Sequence, residues 1–190
     1  MTGLRERNRQ AAMGDVQRVA MRMMQASGFA NVTVEEIAAM SGVSPSTVYR
    51  YFGTKEALVL WGDRAGSLVA TFAEAKVGKK RSVHQAFVEA ATSTYDDADP
   101  VARLEFVAQL ELIFANEDLT IAFEHELIGR RDDVAATLAA HRSAKSVGGR
   151  DAAQAGALLG ALIAVLERWQ ATAGEKSLAK QLAKAFDTNI

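Results

Sequence analysis

Apolar positions recur at helical spacing along almost the whole chain. Over 7–27, Ala12, Val16, Val19, Ala20, Met23 and Met24 share one face, and Gly28 follows as a helix stop. Thr33 and Glu36 stand three residues apart, the spacing of a capping box, and open a short helix that turns Val34, Ile37 and Ala38 inward and ends at Gly42. Pro45 disfavours helical backbone at Ser44 and suits the first turn of a third helix, which Val48, Tyr51 and Phe52 continue to Gly53. Thr54 caps a fourth helix, expected to run unbroken to about residue 75 on a stripe of Leu58, Trp61, Ala65, Leu68 and Phe72. Longer helices are predicted over 82–95, 99–116, 118–141 with room for one break, 151–173 and 175–187. The fold class is all-α, with about nine helices: a three-helix domain over 1–54 and a larger helical domain over 55–190.

Composition supports this and narrows the chemistry. Hydrophobic residues make up 49% of the 190, enough for a packed core, and only Pro45 and Pro100 interrupt helix formation by proline. The absence of cysteine excludes disulfides, thiolate zinc sites and cysteine nucleophiles. Nothing at the N-terminus reads as a secretory signal. The longest uncharged stretch, 152–166, falls short of the ~18 residues of a membrane span, so a cytoplasmic protein without membrane contact is expected. The net charge of −1 is unevenly spread: residues 1–60 hold seven Lys/Arg against five Asp/Glu, the rest fifteen against eighteen. That permits a mildly basic N-terminal surface.

The two short helices around Ser41-Gly42-Val43-Ser44 carry the functional signal. A helix-turn-helix needs a small residue at the helix crossing, here Ala38, and glycine in the turn, here Gly42. It also needs apolar anchors around the turn, here Ile37, Val43 and Val48. The same spacing fits an ordinary helical hairpin, but the outward residues of the second helix favour DNA. Ser46, Thr47, Tyr49 and Arg50, with Ser44 and Pro45 leading in, are hydrogen-bonding types suited to phosphates and base edges.

The run Thr33-Val34-Glu35-Glu36-Ile37-Ala38, then Ser41-Gly42-Val43-Ser44, then Thr47-Val48-Tyr49-Arg50-Tyr51-Phe52-Gly53-Thr54-Lys55-Glu56-Ala57-Leu58 resembles the DNA-binding signature of the TetR family across 8–60. Ser41 stands where alanine is usual. The resemblance implies that Thr33, at a helix N-terminus, meets a phosphate. It implies that Ser46, Thr47 and Arg50 read base edges, with Ser44 and Pro45 at the groove rim. The Tyr49 hydroxyl and the Lys55 ammonium would hold phosphates. Tyr51 and Phe52 read as packing residues. Arg5, Arg7 and Arg9 form either an arm along the DNA or a frayed, solvated terminus.

In the C-terminal half the resemblance is one of layout. The helix over 151–173 is apolar around most of its circumference, and Gly156 and Gly160 let another backbone approach closely. The last two helices of TetR-type proteins commonly form a four-helix dimer interface, which would engage Gly156, Leu159, Gly160, Ile163, Trp169, Leu178, Leu182 and Phe186; intramolecular packing alone is the alternative. Trp61, Phe72, Phe87, Phe106, Gln109, Leu110 and Phe114 are candidates to line an apolar effector cavity, though aromatics at helical spacing also build cores. The stretch 162–174 is loosely similar to TetR-type regulators of mycofactocin and acyl-CoA metabolism, which suggests an acyl-type effector.

His84, His125 and His141 do not assemble with carboxylates into a metal site, and no catalytic triad or phosphate-binding glycine loop is present. No cofactor, metal or enzymatic activity is expected. The expected function is that of a ligand-responsive repressor, binding a palindromic operator in double-stranded DNA as a homodimer and released by a small, largely apolar effector. The alternative is a TetR-fold helical protein acting through protein partners.

Overall fold

Capping chemistry sets most of the helix boundaries. The computed structural model describes residues 2–96 and 99–187, with side chains at all of these except 2, 4, 5, 6 and 8. Among the described residues there are eleven α-helices and no strand: α1 Thr2–Ser27, α2 Val34–Ser41, α3 Pro45–Phe52, α4 Lys55–Val59, α5 Arg64–Glu74, α6 Val83–Tyr95, α7 Pro100–Phe114, α8 Glu117–Ile128, α9 Arg131–His141, α10 Gly149–Gln170 and α11 Leu178–Ala185. A 3₁₀ turn, Phe29–Asn31, joins α1 to α2. The all-α class holds, and two breaks account for eleven helices where about nine were expected.

The first break corrects the unbroken fourth helix. Gln17, on α1, donates from Nε2 to the carbonyls of Val59 at 3.1 Å and Trp61 at 3.0 Å. A continuous helix would spend those acceptors on its next turn. Gly62 then takes φ 119°, a conformation that costs other residues strain, and the Asp63 carboxylate accepts from Gly66 N at 2.8 Å to cap α5 afresh. The second break, at Gly129-Arg130, separates α8 from α9, whose first turn carries Asp132 and Asp133.

The chain falls into two units, residues 1–62 with 112–122, and 63–111 with 123–190. In the first, α1 packs on α2 and α4, and α2 on α3, around Ala20, Met24, Ile37, Ala38, Val48 and Leu58. Phe52 meets Trp61 edge-to-face at 6.1 Å. Lys55–Val59 thus belongs with the helices before it.

In the second unit α10 packs against α9 and α11, α5 against α6 and α9, and α11 against α6. By length and apolarity alone α10 is sufficient to cross a membrane. Its inward stripe of Ala155, Leu158, Leu159, Leu162, Leu166 and Trp169 is buried, as expected of a core helix. An aromatic cluster fills the space nearby: Phe72 lies 5.4 Å from Phe87 and 5.2 Å from His141, and Phe186 is 5.9 Å from Phe87. Asp151 is wholly buried; its carboxylate accepts from Gly148 N at 2.8 Å and pairs with Arg142. These contacts hold its carboxyl below the ordinary carboxylate range, the Gly148 amide first and Arg142 after it.

Candidate nucleic-acid interface

The turn between α2 and α3 is built by local hydrogen bonds. Gly42 adopts the left-handed conformation, φ 68°, and Val43 N returns to Ala38 O at 3.0 Å, closing α2. Ala38 is fully buried at the crossing. Ser44 then caps α3: its Oγ accepts from Thr47 N at 3.2 Å and lies 2.9 Å from both Ser46 Oγ and Thr47 Oγ1. Three hydroxyls are thereby gathered at the N-terminus of α3, whose first turn carries no acidic residue.

The outward surface of α3 is polar and accessible. Ser44, Pro45, Ser46, Tyr49 and Arg50 are exposed, Tyr49 at 48%. Thr47 is half-buried, while Val48 and Phe52 face the core. This is the division a recognition helix requires: one stripe anchored, the other presented.

Two expected phosphate contacts are occupied within the chain itself. Both donors of Thr33, the backbone N–H and the hydroxyl, point to Glu36 Oε2 at 2.8 Å. They hold the Glu36 carboxyl below its ordinary range, the backbone bond contributing most. Lys55 donates from Nζ to Phe29 O at 2.9 Å and Val32 O at 3.0 Å. Its ammonium therefore fastens the 3₁₀ turn, with two of three N–H donors committed.

One arrangement was not anticipated. Tyr51, expected only to pack, is half-buried and carries the Arg50 guanidinium 4.8 Å from its ring centroid; Arg50 Nη2 donates to the Tyr51 hydroxyl at 3.3 Å. Arg9 also approaches the ring, at 5.8 Å. Helix α1 continues back to Thr2, so the backbone of the arginine-rich segment is helical; the Arg5 side chain lies outside the described residues. The adjacent Arg-Tyr pair on an exposed helix was the available sequence signal.

The family model for bacterial regulatory proteins of the tetR family matches residues 18–60, the stretch that folds into the end of α1, the helix-turn-helix and α4. Over nearly its full length, 95%, the chain is 23% identical to the candidate mycofactocin biosynthesis transcriptional regulator MftR of Mycobacterium tuberculosis, covering 90% of that protein. Residues 18–60 are thus a TetR-type helix-turn-helix segment.

Solved TetR-family structures share its fold. The fatty acid degradation regulator FadR of Bacillus halodurans superposes with a TM-score of 0.61 at 20% identity, 93% of each chain being covered. Thermus thermophilus FadR, a TetR-family repressor in complex with lauroyl-CoA, gives 0.58 at 21% identity, covering 92% of this chain and 91% of that one.

The residues expected beyond the helix-turn-helix are distributed as follows. Phe72, Phe87, Phe106 and Leu110 are buried in the second unit, and Gln109 is half-buried. Trp61 and Phe114 belong to the first unit, where Trp61 is taken up by Phe52. Arg64 lies over the Phe106 ring at 4.2 Å, and Phe106 is 5.5 Å from the buried Tyr95. Burial, and secondarily the Asp63 charge, raises the Glu126 carboxyl above its ordinary range; burial likewise raises the Tyr95 hydroxyl.

Of the interface candidates, Leu159, Trp169, Leu178 and Leu182 are wholly buried within the chain and hold its own core. Ile163 is 9% exposed, and Phe186 stacks on His84 at 5.5 Å. Along the middle of α10 the outward face carries small residues, Ala153, Ala157, Gly160 and Ala164, with Gly156 beside them, and Arg150, Glu167 and Arg168 are exposed towards its ends. The apolar periodicity identified a stripe that is buried within the chain itself.

Proposed function

We propose that this TetR-family regulator is a cytoplasmic homodimeric repressor of a palindromic operator, released by a small apolar effector of acyl type. One observation carries the DNA reading. The exposed face of α3 presents Ser44, Ser46, Tyr49 and Arg50, with Thr47 half-buried beside them, free of acidic residues in its first turn and fixed by the Gly42 and Ser44 hydrogen bonds. Ser46, Thr47 and Arg50 face the base edges, Ser44 and Pro45 the groove rim, and Tyr49 a phosphate. Thr33 joins the phosphate contacts if Glu36 releases it, and Lys55 does so through its remaining N–H.

A palindrome requires two readers about 34–36 Å apart. The small-residue face of α10, with Gly156 and Gly160, supports close pairing with a second copy. The effector class is supported by the fold shared with Thermus thermophilus FadR, which is in complex with lauroyl-CoA, and by the buried apolar Phe106 and Leu110 with half-buried Gln109 next to them in the second unit. Such a molecule releases DNA only by preferring a state that the operator does not.

The test is sedimentation of the wild-type protein on a fluorescent duplex from its own upstream DNA, with and without lauroyl-CoA. Two protomers per duplex, lost on addition of the thioester, is the predicted result. One protomer per duplex contradicts the dimer, and a complex indifferent to lauroyl-CoA and to a series of shorter and longer acyl thioesters contradicts the effector class. No complex at low salt favours action through protein partners.

A further inference from the structure

Arg50 and Tyr51 are neighbours on α3, so their side chains leave the helix in different directions. The long Arg50 side chain nevertheless returns over the Tyr51 ring, 4.8 Å from its centroid, and meets the hydroxyl at 3.3 Å. Tyr51 is itself held: half-buried, it lines the small apolar recess of Ala12, Met13, Val16 and Val48 between α1 and α3. An exposed arginine bears a large rotamer entropy, which it loses on engaging a base. A rigid aromatic platform reduces that loss beforehand.

We propose that Tyr51 is a positioning residue for sequence readout: it holds the Arg50 guanidinium at the angle from which it meets one base pair of each half-site. The inference rests on the reading of α3 as the recognition helix. Tyr51 contributes no base contact of its own. Its ring supplies the cation–π surface, and its hydroxyl fixes the guanidinium plane. That plane matters because arginine recognises guanine O6 and N7 through a bidentate fork.

The experiment has two readouts on the intact protein. A duplex is first selected from a randomised pool by the wild type, and affinities are then measured for a panel replacing each base pair of the half-site. Arg50→Ala is expected to abolish discrimination at one position. Tyr51→Leu should reduce discrimination at that same position, by about three-fold per half-site and about ten-fold for the dimer on both. It should leave other positions unchanged and have little further effect in the Arg50→Ala background. Tyr51→Phe, which keeps the ring and loses the hydroxyl, should fall between the wild type and Tyr51→Leu, while Arg50→Lys, which loses the planar fork, should behave like Arg50→Ala.

The second readout needs no DNA. Proton NMR of the Arg50 side chain should show an upfield ring-current shift in the wild type and in Tyr51→Phe, lost in Tyr51→Leu. A uniform loss of affinity across all positions in both Tyr51 variants, or an unshifted Arg50 in the wild type, overturns the inference while leaving the DNA reading intact. A wild type that selects no sequence overturns the reading of α3 and the inference with it.

Discussion

Lys55 Nζ lies 2.9 Å from the carbonyl oxygen of Phe29 and 4.1 Å from the centroid of the Phe29 ring. One cation thus satisfies the end of a 3₁₀ turn, through Phe29 O and Val32 O, and covers the aromatic face beside it. Lys55→Met keeps the aliphatic stem and removes both bonds. It should cost the first unit about 1–2 kcal/mol, read from urea unfolding. It should also weaken DNA binding through misplacement of the turn before α2. Unchanged stability with weakened binding would mean instead that Lys55 acts on phosphate alone.

Ser41 occupies the position where the TetR signature has alanine, and its buried hydroxyl has no hydrogen-bond partner among the described residues. Removing a buried polar atom that forms no bond relieves its desolvation. Ser41→Ala should stabilise the protein by about 1 kcal/mol, measured as a raised urea midpoint with an unchanged slope, and leave DNA affinity as it was.

The buried Asp151 carboxylate ties Gly148 and Arg142 to the start of α10. Its folded pKa is depressed, so its stabilisation is full above the unfolded value of about 3.9 and is lost as pH falls through the folded value. Asp151→Asn should lower the melting temperature at pH 7. The wild-type advantage should shrink progressively below pH 4. A difference constant from pH 7 to pH 3 would contradict the depressed pKa.

Gly160 lies on the exposed stripe of α10, with no heavy atom within 4 Å of where a Cβ would stand. Gly160→Glu therefore fits the isolated chain and removes a helix-weakening glycine, worth up to about 1 kcal/mol. On the proposed dimer it places a charge in each copy against the other. Sedimentation equilibrium should show the wild type dimeric and the variant monomeric, with operator affinity reduced accordingly. A variant that stays dimeric would move the interface off this face.

The helix-turn-helix was legible because its determinants are local. The capping pair Thr33–Glu36, the left-handed Gly42 and the Ser44-Pro45 start each act within four residues, and each is found as the sequence implies. The break between α4 and α5 was hidden because the bonds that take the carbonyls of Val59 and Trp61 come from Gln17, more than forty residues earlier. That Leu159 and Trp169 are covered by their own chain was hidden for a related reason. Periodicity finds an apolar face, but which partner covers it depends on neighbours far along the chain; here α9 and α11 cover it. Arg50 and Tyr51 were both noticed, but their contact depends on rotamers that the sequence pattern does not encode.

Equilibrium binding to a duplex from the protein's own promoter decides whether α3 reads DNA. The wild type and an Arg50→Ala, Tyr49→Phe variant are compared over a salt series, each against a scrambled duplex. The wild type should bind its promoter selectively at about 10⁻⁸ M or tighter. Its affinity should fall steeply with salt, and the variant should lose selectivity. Equal, weak binding of wild type and variant to both duplexes at low salt, persisting after refolding from denaturant to remove any bound effector, would contradict DNA reading by α3.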